Sequence, residues 1–278
     1  MRYAQLVVGP AGSGKSTYCS ILSEHASSVN RTINVVNLDP AAEYFNYNPL
    51  ADIRDLIQVD DAMEDEDLHF GPNGGLIFCM EYLLKNSEWL KEELGDMDDD
   101  YILFDCPGQI ELYTHMNTMK ELVDLLEKWG FRLCCVFLLD AQFMVDGAKF
   151  ISGTMAALSV MINLELPHVN IISKMDQLKK IQKAQLDGFL EPDPHYLLGS
   201  LESKSLWSGK YRSLTEAIGQ IIEDYSLVRF HPLNIKNEEN IGDILLTIDN
   251  ILQFGEDADV KTHDFDYQDD DDDNIGYD

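Results

Sequence analysis

Apolar residues along this chain fall into short continuous runs separated by longer amphipathic stretches. The runs Tyr3–Val8, Ile33–Leu38, Tyr101–Phe104, Phe131–Leu139 and Val169–Ile172 predict buried strands, and Val228–Ile235 predicts a sixth. Helices are predicted between them, over Ser16–Ala26, Gly75–Leu94, Met116–Lys128, Lys149–Asn163, Leu214–Tyr225 and Ile241–Phe254. Strands that are apolar throughout are buried on both faces. With helices between them, they predict an α/β fold: a mostly parallel sheet with helices on both faces. Ligands of such sheets sit at the carboxyl ends of the strands.

Two segments depart from this rhythm. Residues 177–212 are polar, with Pro192 and Pro194, and read as a helical or loop insertion. From Glu256 the chain is dominated by acids, including an unbroken run at 269–273. Such a segment buries too little apolar surface to offset its ordering entropy, so 255–278 is expected to be a disordered acidic tail. The folded domain is then expected to span 1–254, and no linker or internal repeat divides it.

With 278 residues the chain is long enough for one large α/β core. Charge narrows the partners. Fifty acidic against twenty basic residues leave a net charge of −30, which repels nucleic-acid phosphates and anionic lipid. Direct nucleic-acid and membrane binding are therefore not expected. The cysteines at 19, 79, 106, 134 and 135 are odd in number and fit neither a zinc site nor a disulfide framework. They read as reduced thiols of an intracellular protein, with Cys134 and Cys135 on opposite faces of one strand. No signal-peptide pattern opens the chain, and its apolar runs are too short to cross a bilayer. The expected location is the cytoplasm, with access to the nucleus.

The candidate chemistry lies at strand ends. Gly9-Pro-Ala-Gly-Ser-Gly-Lys-Ser16 fits G-x-x-x-x-G-K-[ST] between a predicted strand and a predicted helix. That context makes it a P-loop, in which Lys15 reaches the β- and γ-phosphates and Ser16 offers a hydroxyl to Mg²⁺. Gly12, Ser13, Gly14 and Thr17 complete the phosphate-binding set. Asp105-Cys-Pro-Gly108 ends the third predicted strand, where such proteins hold Mg²⁺, usually through water, and Gly108 can offer its N–H to the γ-phosphate. Gln109 is placed to orient an attacking water. Asp39, in Asn37-Leu-Asp-Pro-Ala41, contacts Mg²⁺, accepts a proton from water, or simply caps a turn.

Ser173-Lys174-Met175-Asp176 follows the fifth predicted strand and is similar to the N-K-x-D guanine motif, with serine in place of asparagine. The Asp176 carboxylate can accept from guanine N1 and N2, while adenine would leave it unpaired. On bare chemistry, Gly71-Pro72-Asn73 favours a turn with Asn73 as a helix N-cap, though a side-chain amide there could also serve a phosphate or a water.

Taken in order, the P-loop, Leu-Asp-Pro-Ala, Gly-Pro-Asn and Asp-Cys-Pro-Gly-Gln-Ile-Glu resemble the GPN-loop GTPases over Arg2 to about Phe254. The resemblance implies a Mg²⁺-dependent GTPase with GTP as substrate. Its two nucleotide sites would face each other across a dimer. The Gly71–Asn73 loop would reach the partner's phosphates, Asp39 would act as catalytic base, and Asn73 and Gln109 would assist. It further implies pairing with a paralogous GPN-loop GTPase, as heterodimer or homodimer, and a task in the assembly and nuclear import of RNA polymerase II. The insertion would help shape a surface for a peptide or a partner. Ser173 departs from the family's asparagine, which implies weaker bracing of the P-loop. None of the six arginines lies in a motif that places it at the phosphates, which implies slow hydrolysis.

Overall fold

A computed structural model describes residues 2–64, 70–95, 100–190 and 228–255. The predicted helix over Leu214–Tyr225, the insertion beyond residue 190 and the tail beyond Gly255 lie outside those residues.

Seven parallel strands form one sheet in the order β3-β2-β4-β1-β5-β6-β7. They are β1 (Arg2–Val8), β2 (Asn34–Asn37), β3 (Ala51–Asp52), β4 (Tyr101–Asp105), β5 (Phe131–Asp140), β6 (His168–Ser173) and β7 (Phe230–Pro232). Five strand expectations hold to within a residue or two. The sixth shrinks to three residues. β3 was not foreseen, because a two-residue edge strand is too short to carry a pattern. The fold is that of a P-loop NTPase, with helices on both faces of the sheet.

Period-two alternation sorts the core. On β1, Ala4, Leu6 and Val8 face one apolar layer, and Tyr3 and Val7 face the other. On β5, Cys135 and Cys134 divide the same way, and all five cysteines are buried and free. The first layer lies under α3 (Pro72–Lys85), α4 (Ser87–Leu94), α6 (Thr118–Lys128) and α8 (Gly147–Leu164). The second lies under α1 (Lys15–Ser28) and the last described helix, α10 (Glu238–Leu252).

The long helix expected over Gly75–Leu94 is two helices. They break at Asn86, whose side-chain amide donates to Tyr82 O at 2.8 Å and competes with the helical ladder. The helix expected from Met116 begins at Thr118, after a separate turn, α5 (Glu111–Thr114). Two further helices, α2 (Val59–Glu64) and α7 (Ala141–Met144), have no counterpart among the expectations, while α9 (Lys180–Leu190) lies within the segment read as a helical or loop insertion. Contrary to the expectation from apolar run lengths, α8 is, by length and composition alone, apolar enough to span a bilayer. Its Phe150, Ala157, Val160 and Leu164 instead pack into the first core layer.

At the amino-terminal end of the sheet, Arg31 ties α10 to the strands. Its guanidinium reaches both Asp249 oxygens, at 2.5 and 2.9 Å, and lies over the Tyr101 and Phe254 rings.

Candidate functional site

Five strands deliver polar residues to the carboxyl edge of the sheet. β1 runs into the P-loop, β2 toward Asp39, β4 ends at Asp105, β5 at Asp140 and β6 at Ser173. This edge collects residues that are distant in sequence because β1, the first strand, sits between β4 and β5.

The P-loop is held by close backbone approach. Gly9 has φ 144°, and a Cβ there would lie 2.4 Å from Leu138 O. Helix α1 begins at Lys15 with no side-chain cap and no acid in its first turn, so its amino-terminal N–H groups are left for an anion. Ser13 is buried and Thr17 exposed. Lys15 is buried and donates to Gly9 O at 3.1 Å and Pro10 O at 3.3 Å. Burial lowers its pKa, against the opposing charges of Asp105 and Asp39.

The Asp105 turn packs onto this loop. A Cβ on Gly108 would lie 2.8 Å from Ala11 Cα, so only glycine permits the contact. The Tyr113 hydroxyl donates to Pro107 O and supports the turn from below. Burial pushes the Asp105 carboxyl above the usual range, while the neighbouring Ser16 hydroxyl favours its ionised form. Asp39 is likewise raised by burial. Its Oδ1 accepts from Ala41 N at 3.0 Å, so the turn-capping role occupies one oxygen. Asn37 holds the same turn from both sides, accepting from Asp39 N and donating to Asp39 O.

At the β6 end, the Ser173 hydroxyl lies 2.5 Å from Ser13 O and 3.1 Å from Leu139 O. The shorter serine side chain thus still donates to the loop's backbone, with one hydroxyl proton in place of an amide's two. Lys174, in the left-handed region at φ 59°, extends across the loop to Gly12 O at 2.5 Å and pairs with Asp140 at 2.8 Å. Met175 is buried beside it. Asp176 Oδ2 lies 3.4 Å from the exposed Lys236 ammonium.

The capping expectation for Asn73 is overturned. Gly71 is the N-cap of α3 and makes no side-chain bond, Pro72 takes the first turn, and Asn73 is already inside the helix. All three residues are exposed.

Among the described residues, four buried side-chain atoms along this edge have no hydrogen-bond partner: Ser13 Oγ, Asp105 Oδ1, Gln109 Oε1 and Asp176 Oδ1. Each such atom costs on the order of 1–3 kcal/mol when left unpaired. Their chemistry fits a nucleotide and a hydrated cation: a hydroxyl on the P-loop, a hard carboxylate oxygen at the end of β4, an amide oxygen on the turn after it, and a second carboxylate after β6.

Motif reading missed several neighbours. Tyr47 donates to Asp105 Oδ2 at 2.7 Å, Arg54 donates to Ala42 O at 2.9 Å and pairs with Asp52, and Asn37 donates to Asp52 at 2.8 Å. The aromatic cluster Tyr44, Phe45, Tyr47 in a polar loop was the one available signal.

Residues 7–254 match the family described as "Conserved hypothetical ATP binding protein". A protein named GPN-loop GTPase 3 from Danio rerio is 58% identical over 260 residues, covering 94% of this chain and 91% of that one. The protein of the same name from Schizosaccharomyces pombe is 47% identical over 268 residues, covering 95% and 96%. The crystal structure of a GTPase in apo form from Pyrococcus abyssi superposes with a TM-score of 0.72 at 22% identity, covering 90% of this chain and 97% of that one, and shares the fold. With that degree of identity over nearly its whole length, and with its P-loop, Asp39, Gly71–Asn73 and Asp105 turns in place, the chain belongs to the GPN-loop GTPase family.

Proposed function

We propose that this chain binds GTP with Mg²⁺ and hydrolyses it slowly, as a switch completed by dimerisation. The observation that carries the reading is the line of unpaired buried atoms from Ser13 through Asp105 and Gln109 to Asp176.

The phosphates lie on the P-loop amides, and Lys15 exchanges its carbonyl partners for β- and γ-oxygens. Ser16 and, through water, Asp105 would hold Mg²⁺, which would supply positive charge against that developing on the phosphate oxygens. Gln109 Oε1 orients the water. Asp39, which burial makes more basic than a free aspartate, takes its proton through the oxygen not engaged by Ala41. Asp176 Oδ1 accepts from guanine N1 or N2. Adenine presents no such pair of donors, so guanine is preferred despite the wording of the matched family's description. Arg54 is the described arginine whose charge reaches Asp39, but Asp52 and Ala42 O hold its guanidinium away, which agrees with slow turnover.

Asn73 stands exposed at the start of α3, where a second subunit's phosphates can meet it. The partner we propose is a paralogous GPN-loop GTPase or a second copy of this chain. The proposed task is assembly and nuclear import of RNA polymerase II, from the cytoplasm with shuttling to the nucleus; family membership is its support. The deciding experiment is GTP turnover at several protein concentrations, alone and with the paralogue. A rate per subunit that rises with either supports the switch. Tight GTP binding with negligible turnover in every mixture replaces it with a GTP-binding scaffold, and displacement of GTP by equimolar ATP replaces it with an ATPase.

A further inference from the structure

Asp105 is the carboxylate on which the proposed metal site turns, and its two oxygens differ. Oδ1 is buried and unpaired, while Oδ2 accepts from the Tyr47 hydroxyl at 2.7 Å. Tyr47 lies 58 positions away in sequence, in the loop between β2 and β3. Nothing in that loop is helix or strand, yet the phenol is held from several directions. Its ring stacks on Phe45 with centroids 4.5 Å apart and planes 8° from parallel. The Arg54 guanidinium lies 4.7 Å from the Phe45 centroid. Arg54 is itself held by Asp52 at the end of β3, and Asp52 by Asn37 at the end of β2. The Asn46 carbonyl, next to Tyr47, accepts from Ser20 on α1 at 3.4 Å.

We infer that Tyr47 is a positioning residue for the metal site. Its hydroxyl takes one lone-pair direction of Oδ2, fixes the rotation of the carboxylate and leaves Oδ1 for the water shell of the cation. Without that donor, a carboxylate on a single rotatable bond has to be ordered by the metal itself, and affinity falls by the cost of that ordering. The inference rests on the Mg²⁺-dependent guanine-nucleotide binding proposed above.

The test is Tyr47→Phe, which keeps the ring stack and removes only the hydroxyl. Affinity for a fluorescent GDP is measured in EDTA and then across a Mg²⁺ titration, with Asp105→Asn and the double variant alongside. The inference expects metal-free affinity within about twofold of the unsubstituted chain, and about three- to tenfold more Mg²⁺ needed for half of the metal-dependent tightening. It further expects that Tyr47→Phe has no added effect in the Asp105→Asn background. An unchanged Mg²⁺ midpoint overturns it, as does equal loss of affinity in EDTA, which would make Tyr47 a packing residue only. If the unsubstituted chain shows no Mg²⁺-dependent GDP binding, the functional reading fails as well.

Discussion

At the scale of single residues, hydrogen-bond satisfaction decides the most. Ser173 supplies one hydroxyl proton to a place where two backbone carbonyls converge, and its bond to Ser13 O is short. Ser173→Ala should leave a P-loop carbonyl without its donor and weaken guanine-nucleotide binding about tenfold, as read by fluorescence titration. His168 opens β6 against Phe137. Burial pushes its pKa down to about 4, with Asn170 acting the other way. An unfolded chain protonates this ring near pH 6.5. Between those values the unfolded state binds the extra proton, so stability is full above about pH 6.5 and falls as pH drops toward 4. Urea midpoints measured between pH 7 and 4 should fall, with a shallower slope in His168→Gln. The residues whose placement was most legible in the sequence were those set by local motifs: Lys15, Ser16, Asp105 and Asp176 lie at or just beyond strand ends. Tyr47 was not legible, because a tyrosine in a polar loop looks the same whether it meets water or Asp105.

At the scale of elements, the pattern located five strands and four of the helices well, since continuous burial and amphipathic faces are periodic signals. It failed where an element was too short for a period, as with β3 and α7, and where one side chain broke a run, as with Asn86. The attachment of α10 depends on a contact that no pattern announces. Arg31 pairs with Asp249, and the two side chains are only 19% and 14% exposed. Removing one partner leaves the other charge poorly solvated, and Arg31 also loses its two aromatic faces. Arg31→Ala should therefore destabilise the fold by about 2–4 kcal/mol in urea denaturation. It lies at the opposite end of the sheet from the P-loop, so nucleotide affinity under folding conditions should hold.

At the scale of the whole molecule, Gly71, Pro72 and Asn73 stand exposed at the start of α3, where the asparagine is neither a cap nor part of the core. The proposed dimer would use that exposed loop. Asn73→Ala should leave nucleotide binding by dilute protein unchanged and abolish the rise of turnover with concentration, both measured in one dilution series. The net charge of −30 makes association sensitive to screening, so the same series at higher ionic strength should shift the rise to lower protein concentration.

The sequence by itself determined the fold class, the phosphate-binding loop and the identity of the acids at the strand ends. Strand burial, turn chemistry and the P-loop spacing are all local, and a local pattern survives without its surroundings. Only the tertiary structure decided which oxygens those acids keep free. It brought Ser173 to Ser13 across 160 positions, Lys174 to Gly12 across 162 and Tyr47 to Asp105 across 58. The physical reason is the permuted strand order: β1 lies between β4 and β5, so the neighbours at the site's edge are set by sheet pairing rather than by distance along the chain.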